Sequence, residues 1–354
     1  MKRAIALGLL TVLLVIGVGC AELLSQRAIS PDTFSTFPDW CSHKSRLTRE
    51  AQRTVDILLR EAKTRRCEQA EEVLTRLNTL KFSVKVSDLK RYRHEPIVDI
   101  APLGSLTQLT ELDMGWSPMT SAAPLSNLTQ LTKLSLNHSQ VADITPLANL
   151  TQLTELDLSG NPIEDITPLA NLTQLQGLYL AYGHIVDVAS LTNLTQLTEL
   201  NLSNNHIVDV APLANLTNLT WLNLGFNQIK EISPLVSLAQ LTWLDLTTNQ
   251  IADVVPLANL ASLTKLYLWN NQIEDVAPLA SLTNLTGLWL TDNQIVDAAP
   301  LASLTRLTRL GLAGNQITDV KPLASLSNLE SLALRENPLR DRTCPLQLES
   351  ICQF

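Results

Sequence analysis

His184 and His206 occupy equivalent places in consecutive stretches of this chain, each followed three residues later by a carboxylate, Asp187 and Asp209. Imidazoles beside carboxylates suit a divalent cation. Glutamine fills the same place further along, at Gln228, Gln250 and Gln272, so the pair reads as drift at a solvated position and no metal is expected. His43, His94 and His138 are scattered, and the chain has no Gly-rich phosphate loop, Cys-x-x-Cys pair or HExxH motif. No nucleophile, base and orienting group converge, so neither an enzyme nor a cofactor is expected. The chemistry the residues do support is adhesion. Of 15 aromatic residues, nine fall where side chains should point to solvent: Trp116, Tyr179, Tyr182, Trp221, Phe226, Trp243, Tyr267, Trp269 and Trp289. Large aromatics exposed together are the usual anchors of a binding surface.

The elements that must hold them come from a 22-residue repeat. Eleven copies start at Leu109, Leu131, Leu153, Leu175, Leu197, Leu219, Leu241, Leu263, Leu285, Leu307 and Leu329, without insertion or deletion. A fixed period of this length means a solenoid, whose units bury their apolar residues only by stacking on neighbours. In the copy beginning at Leu153, residues 155–158 alternate as a short strand does, with Leu156 and Leu158 inward and Glu155 and Asp157 outward. Leu153, Ile163, Ile166, Leu169 and Leu172 complete the inward set.

Three further columns read as scaffold. An asparagine column (Asn161, then Asn205 to Asn337) can satisfy backbone groups where the chain bends and no regular ladder exists. Ser117, Ser139 and Gly183 interrupt it, which predicts weaker packing in the N-terminal half. An acidic column from Asp99 to Asp319 precedes a proline column from Pro102 to Pro322 by three residues, a spacing that suits side-chain capping of a tight turn rather than cation binding. The proline column, broken only by Ser190, predicts short turns or 3-10 pieces on the convex side.

The solvent-facing columns are the third, fifth, seventh and eighth of each repeat. There, Trp221 and Trp243 are lateral neighbours, as are Tyr267 and Trp289; with Trp269 and Phe226 they predict one continuous patch across four repeats. Glu111, Asp113, Glu155, Asp157 and Glu199 precede it, and Lys265, Arg309 and Arg335 follow, mixed with Asp245, Asp292 and Glu336. The face therefore reads acidic, then aromatic, then partly basic, with Arg309 a further candidate contact. The competing reading is that aromatic neighbours merely cover one another for strand stability.

The pattern L-x-x-L-x-L-x-x-N-x-I resembles the leucine-rich repeat signature. The repeat length and the recurring Ile-x-Asp-Ile-x-Pro-Leu half resemble the bacterial internalin-like class, over residues 97 to about 340. The resemblance implies an α/β-type repeat solenoid: a concave parallel sheet, convex turns or 3-10 segments, and a small helical N-terminal cap. It also implies a concave face that binds a partner. A protein or peptide suits the extended face and its charges of both signs. A glycan is the alternative, because flat aromatic faces stack on sugar rings; a purely structural envelope protein is the third reading.

The net charge of -8 is uneven: residues 21–95 hold 15 Lys and Arg against 11 Asp and Glu, residues 96–354 only 9 against 23. An array so acidic is a poor match to nucleic acid. Lys2 and Arg3 precede an apolar run, Ala4 to Val18, short for a membrane span and suited to a signal peptide. It ends Gly17-Val18-Gly19-Cys20, which resembles a bacterial lipoprotein box except for Gly17, where Leu is usual. That resemblance makes Cys20 the lipidation site of an exported, membrane-anchored envelope protein; ordinary cleavage and an uncleaved anchor are the alternatives. Four cysteines then remain, Cys41 and Cys67 before the array and Cys344 and Cys352 after it, and an oxidising compartment allows a disulfide in each cap; reduced, buried thiols are the other reading.

The expected organisation is a signal peptide over 1–19, a tether over 20–40, a helical cap and degenerate first strand over 41–95, the array over 96–338 and a closing cap over 339–354. Within the first cap, Leu47–Ala62 reads as a helix with Val55, Leu58, Leu59 and Ala62 inward, and Cys67–Leu77 as another with Ala70, Val73, Leu74 and Leu77 inward. These would cover the first sheet edge; a membrane-surface or partner-binding role for the basic segment is the alternative. Phe82 to Pro96 reads as the first strand. The Asn-Leu-Thr triplets match glycosylation acceptors but fall out of the repeat consensus. A monomer is expected.

Overall fold

A computed structural model describes residues 34–82, 97–346 and 349–354. Cys20 and the expected signal segment lie outside the described residues. Thirteen short parallel strands form one sheet in sequence order, from β1 (Thr79–Lys81) and β2 (Glu111–Asp113) to β12 (Ser331–Ala333) and β13 (Cys352–Gln353). Each array strand has three residues, and the central leucine is buried in every one from Leu112 to Leu332. Strand register advances by one repeat per turn, so Leu222 pairs with Leu244 and Leu266 with Leu288. The core is a continuous column of stacked Leu, Ile and Val. No described helix is long and apolar enough to cross a membrane.

The scaffold columns act as their chemistry dictates. Asp143, Asp165, Asp209 and Asp275 each accept the backbone N–H two residues on, at 2.8–2.9 Å. Proline then fixes φ, and the chain makes one 3-10 turn, as in Thr145–Leu147 and Ala211–Asn215. Ser190 substitutes for proline in a turn that still forms, Ala189–Leu191.

Each asparagine fastens two turns together. The Asn161 amide donates to Leu136 O at 2.9 Å and Leu158 O at 2.8 Å, while its Oδ1 accepts Val141 N–H at 3.0 Å. Where no asparagine follows, the amide falls back on its own chain: Met119 N–H bonds Ser117 O at 2.7 Å and Ile163 N–H bonds Asn161 O at 2.8 Å. Ser139 cannot substitute, since its hydroxyl is buried without a partner.

The N-terminal cap contains α1 (Phe37–Ser42), α2 (Arg49–Glu61) and α3 (Cys67–Leu74). Residues 37–40, expected in the tether, are helical. A capping box between Thr36 and Asp39 starts α1, and Phe37 and Trp40 are buried beneath it. The α2 face Ala51, Val55, Leu58 is buried, with Ala62 just beyond, whereas Leu59 is only partly so. In α3, Ala70 and Leu74 face inward, one turn apart, and Leu77 packs partly buried beyond the helix end. Val73 was expected with them but lies on the flank, 39% exposed, because so short a helix presents only one stripe. Thr54 donates to Asp99 O at 2.6 Å and Gln108 to Leu74 O at 2.8 Å, tying cap to array.

Strand β1 is Thr79–Lys81, with Leu80 in the inward slot; of the segment expected as a first strand, Phe82–Pro96, residues 83–96 lie outside the described residues. Thr79 pairs with Glu111 across a spacing longer than the repeat. Disulfides Cys41–Cys67 and Cys344–Cys352 close the two caps.

Candidate binding surface

The concave side chains are set by two local constraints. Strand alternation points the third and fifth positions outward. The chain then leaves the sheet through the eighth position, whose N–H donates to the next turn: Tyr182 N–H to Ser203 O at 2.9 Å, Phe226 N–H to Thr247 O at 2.7 Å. That bend requires a left-handed backbone, with φ between 50° and 72° at Trp116, His138, Gly160, Tyr182, Asn204, Phe226 and their successors. Gly and Asn adopt it readily; bulky side chains do so at a cost of about 1 kcal/mol or more. Trp116, Tyr182 and Phe226 stand there nonetheless, and each is exposed: 46%, 62% and 42%. The strain was not anticipated from sequence, although Gly160, Asn204, Asn270 and Gly314 in that column signal it.

The ring geometry divides the expected single patch. Trp221 pairs in register with Trp243, and their rings stack at 4.5 Å with planes 13° apart. Trp243 meets Tyr267 at 5.2 Å and 47°, where the aromatic line crosses from the third column to the fifth. Tyr267 and Trp289 then stack at 4.1 Å and 2°. These four make a continuous ladder. Phe226 and Trp269 form a separate edge-to-face pair at 5.8 Å, and no ring contact joins it to the ladder among the described residues.

Trp116, Tyr179 and Tyr182 also stand apart. Trp116 stacks on His138 at 4.0 Å, the Tyr179 hydroxyl donates to Glu199, and Tyr182 projects into solvent. Glycines seat two of the rings. A Cβ on Gly287 would lie 2.5 Å from the Trp289 indole, and one on Gly177 would lie 3.4 Å from the Tyr179 ring.

Stacking leaves a particular surface. The centroid spacings of the stacked pairs follow the separation of adjacent strands, roughly 4.8 Å. Within each stacked pair the rings therefore cover each other's inner faces, and apart from the outer face of Trp289 the ladder offers chiefly ring rims to a ligand.

The acidic flank is partly neutralised. Lys81 bridges Glu111 at 3.5 Å and Lys133 bridges Glu155 at 2.8 Å. With Asp113 and Asp157 these line a shallow hollow of about 560 Å³. The bond from Glu155 holds the Lys133 ammonium above its ordinary pKa. Burial, then the Glu199 carboxylate, raises that of Tyr179. At the other end, Lys265 and Arg309 are exposed and have no ion-pair partner among the described residues. Asp245 lies between Asn223 and Tyr267 in the fifth column. Burial raises its pKa against the opposing hydrogen bonds from Thr247. His184 and His206 lie parallel with centroids 6.0 Å apart, and no group of three or more His, Cys, Asp or Glu is placed to hold a metal among the described residues.

The class of protein is a leucine-rich repeat solenoid. Leucine-rich repeat family models match residues 129–171, 173–215, 261–303 and 305–346, and a related model matches 195–251. The chain belongs to the internalin-like family: an internalin (inlF) of Listeria monocytogenes is 33% identical, with 82% of this chain and 90% of that one covered and a TM-score of 0.73. A leucine-rich repeat protein of Leptospira interrogans is 26% identical over 68% of this chain and 70% of its own, at a TM-score of 0.62. The PEPR1–AtPEP1 complex matches at 25% identity, covering 68% of this chain and 36% of that one, with a TM-score of 0.59. No curated protein sequence matches the chain.

Proposed function

We propose that this protein is an exported, non-enzymatic binding module that captures a protein or peptide partner on the aromatic concave face, and that Cys20 anchors it to a membrane by a lipid. The observation that carries this reading is the four-ring ladder Trp221–Trp243–Tyr267–Trp289, built on the solvent side of a sheet whose inward positions are already filled. Mutual covering alone does not account for Phe226, which stays exposed in a left-handed conformation where asparagine or glycine would be less strained. Rim-on presentation along most of the ladder favours side chains that wedge across rings over an extended glycan, whose sugars need successive open faces. The two disulfides and the internalin relative support export.

The test replaces Trp221, Trp243 and Trp289 together by alanine in the full mature chain. Each anchor contributes about 2 kcal/mol where it is a hot spot, so capture of a cell-surface protein partner should be lost. Retained protein capture, or loss only of binding on a glycan array, overturns the reading. Mass spectrometry of the mature N-terminus tests Cys20.

A further inference from the structure

The overall charge of the array points to a cationic partner; the unpaired charges next to the ladder point the other way. Both lysines in the third and fifth columns of the early turns, Lys81 and Lys133, are already bonded to Glu111 and Glu155. From Lys265 onward those two columns hold Lys265 and Arg309 and no carboxylate. Both cations are exposed and unpaired among the described residues. Gly287 lies between them in register, so their backbones stand two strand spacings apart, roughly 10 Å. Lying over Gly287 is the Trp289 indole. Asp292 and Glu336 occupy the eighth position, on the bend where the chain leaves the sheet, and Asp245 lies one strand earlier, its charged form disfavoured by burial.

The ladder also ends here for a visible reason. The fifth-column neighbour of Trp289 in the next strand is Gly311, so the chain supplies no fifth ring. A Cβ at Gly311 would approach Trp289 to 3.3 Å and Thr291 to 3.2 Å, so the protein fills that place with no side chain of its own. A planar group from a ligand can stack on the outer face of Trp289, and a carboxylate next to it would meet Arg309 on that side and, across the rim of the indole that lies over Gly287, the long side chain of Lys265.

We infer that the concave face recognises an acidic peptide segment carrying an aromatic side chain, the ring stacking at the Trp289 end of the ladder and a neighbouring Asp or Glu pairing with Lys265 and Arg309. This inference rests on the ladder being the binding surface. Its charge requirement can fail separately.

The probe is a displayed library of random peptides selected on the immobilised full chain, followed by synthetic copies of the enriched sequences measured by fluorescence polarisation. Enriched peptides should combine Asp or Glu with Phe, Tyr or Trp. The charge-reversed double variant Lys265→Glu, Arg309→Glu should weaken them roughly tenfold or more, because like charges then face each other. Lys133→Glu, at a cation already paired, should change affinity much less. Exposed and unpaired, Lys265 and Arg309 can be reversed without harm to the fold, which a thermal midpoint equal to wild type verifies. Enrichment of basic or uncharged peptides, no enrichment, preference for a sulfated oligosaccharide, or acidic peptides indifferent to the double reversal would each overturn the inference. Basic peptides that still depend on Trp221 and Trp243 would leave the ladder standing and remove only the charge assignment. Peptides indifferent to all three tryptophan replacements would remove both.

Discussion

Asn161→Ala isolates what one asparagine does for the stack. Asn161 is 1% exposed and stands between Ser139 and Gly183, so no other asparagine joins the neighbouring turns in the same way. Truncation removes two donations, to Leu136 O and Leu158 O, and one acceptance, from Val141 N–H. At about 1 kcal/mol net for each buried bond, the loss is about 3 kcal/mol. Part is recovered if Val141 N–H turns back on its own chain, as Met119 and Ile163 do, which sets a floor of about 2 kcal/mol. Asn161→Ser should cost as much as alanine, because the hydroxyl of Ser139 finds no partner in the same column. Urea denaturation followed by circular dichroism measures the global effect, and amide exchange at Val141 reports the local one. A loss well under 1 kcal/mol, or a serine variant as stable as wild type, would refute the view that these amides bond turn to turn.

Other expectations follow from the exposed columns. Asp245→Asn keeps the acceptor for Thr247 N–H, since Asn201 and Asn223 make the same bond in neighbouring strands, and removes a carboxylate whose pKa is raised by burial. The folded wild type holds that proton to higher pH than the unfolded chain, so the group's stabilising contribution is present in acid and lost as pH rises through the raised pKa. The variant should therefore gain on wild type as pH rises above about 4, and thermal midpoints that track each other as pH rises contradict this. Tyr182→Asn relieves a left-handed tyrosine and should raise stability by about 0.5–1 kcal/mol, read from denaturation midpoints; a loss would mean the ring contributes packing that its exposure conceals.

The columns explain how far the sequence could be read. An inward leucine, a capping aspartate or a bonding asparagine acts within one turn and its neighbour, so its role follows from position alone. Leu156, Asp165 and Asn161 all occupy the roles their spacing implies. What position could not give was the direction taken by long side chains. Trp243 and Tyr267 lie in different columns yet touch, whereas Phe226 and Trp269 remain apart from them. Lys133 and Glu155, by contrast, are register partners in the third column, so their pairing could have been read from position. At the caps the period itself fails. The spacing from Thr79 to Glu111 exceeds one repeat, so the period does not give the place of β1.

From Asn205 onward each border between turns carries the same bonds, so a border there does not record which two turns meet at it. Loss of residues 241–262 would bring Lys265 beside Trp221 while the leucine and asparagine contacts re-form across the join. Such a chain would be shorter by one turn, still foldable, and without Trp243. Unequal recombination between near-identical repeats can therefore edit the concave face in whole rungs, and a lineage carrying this array can change that surface without first inventing a new fold.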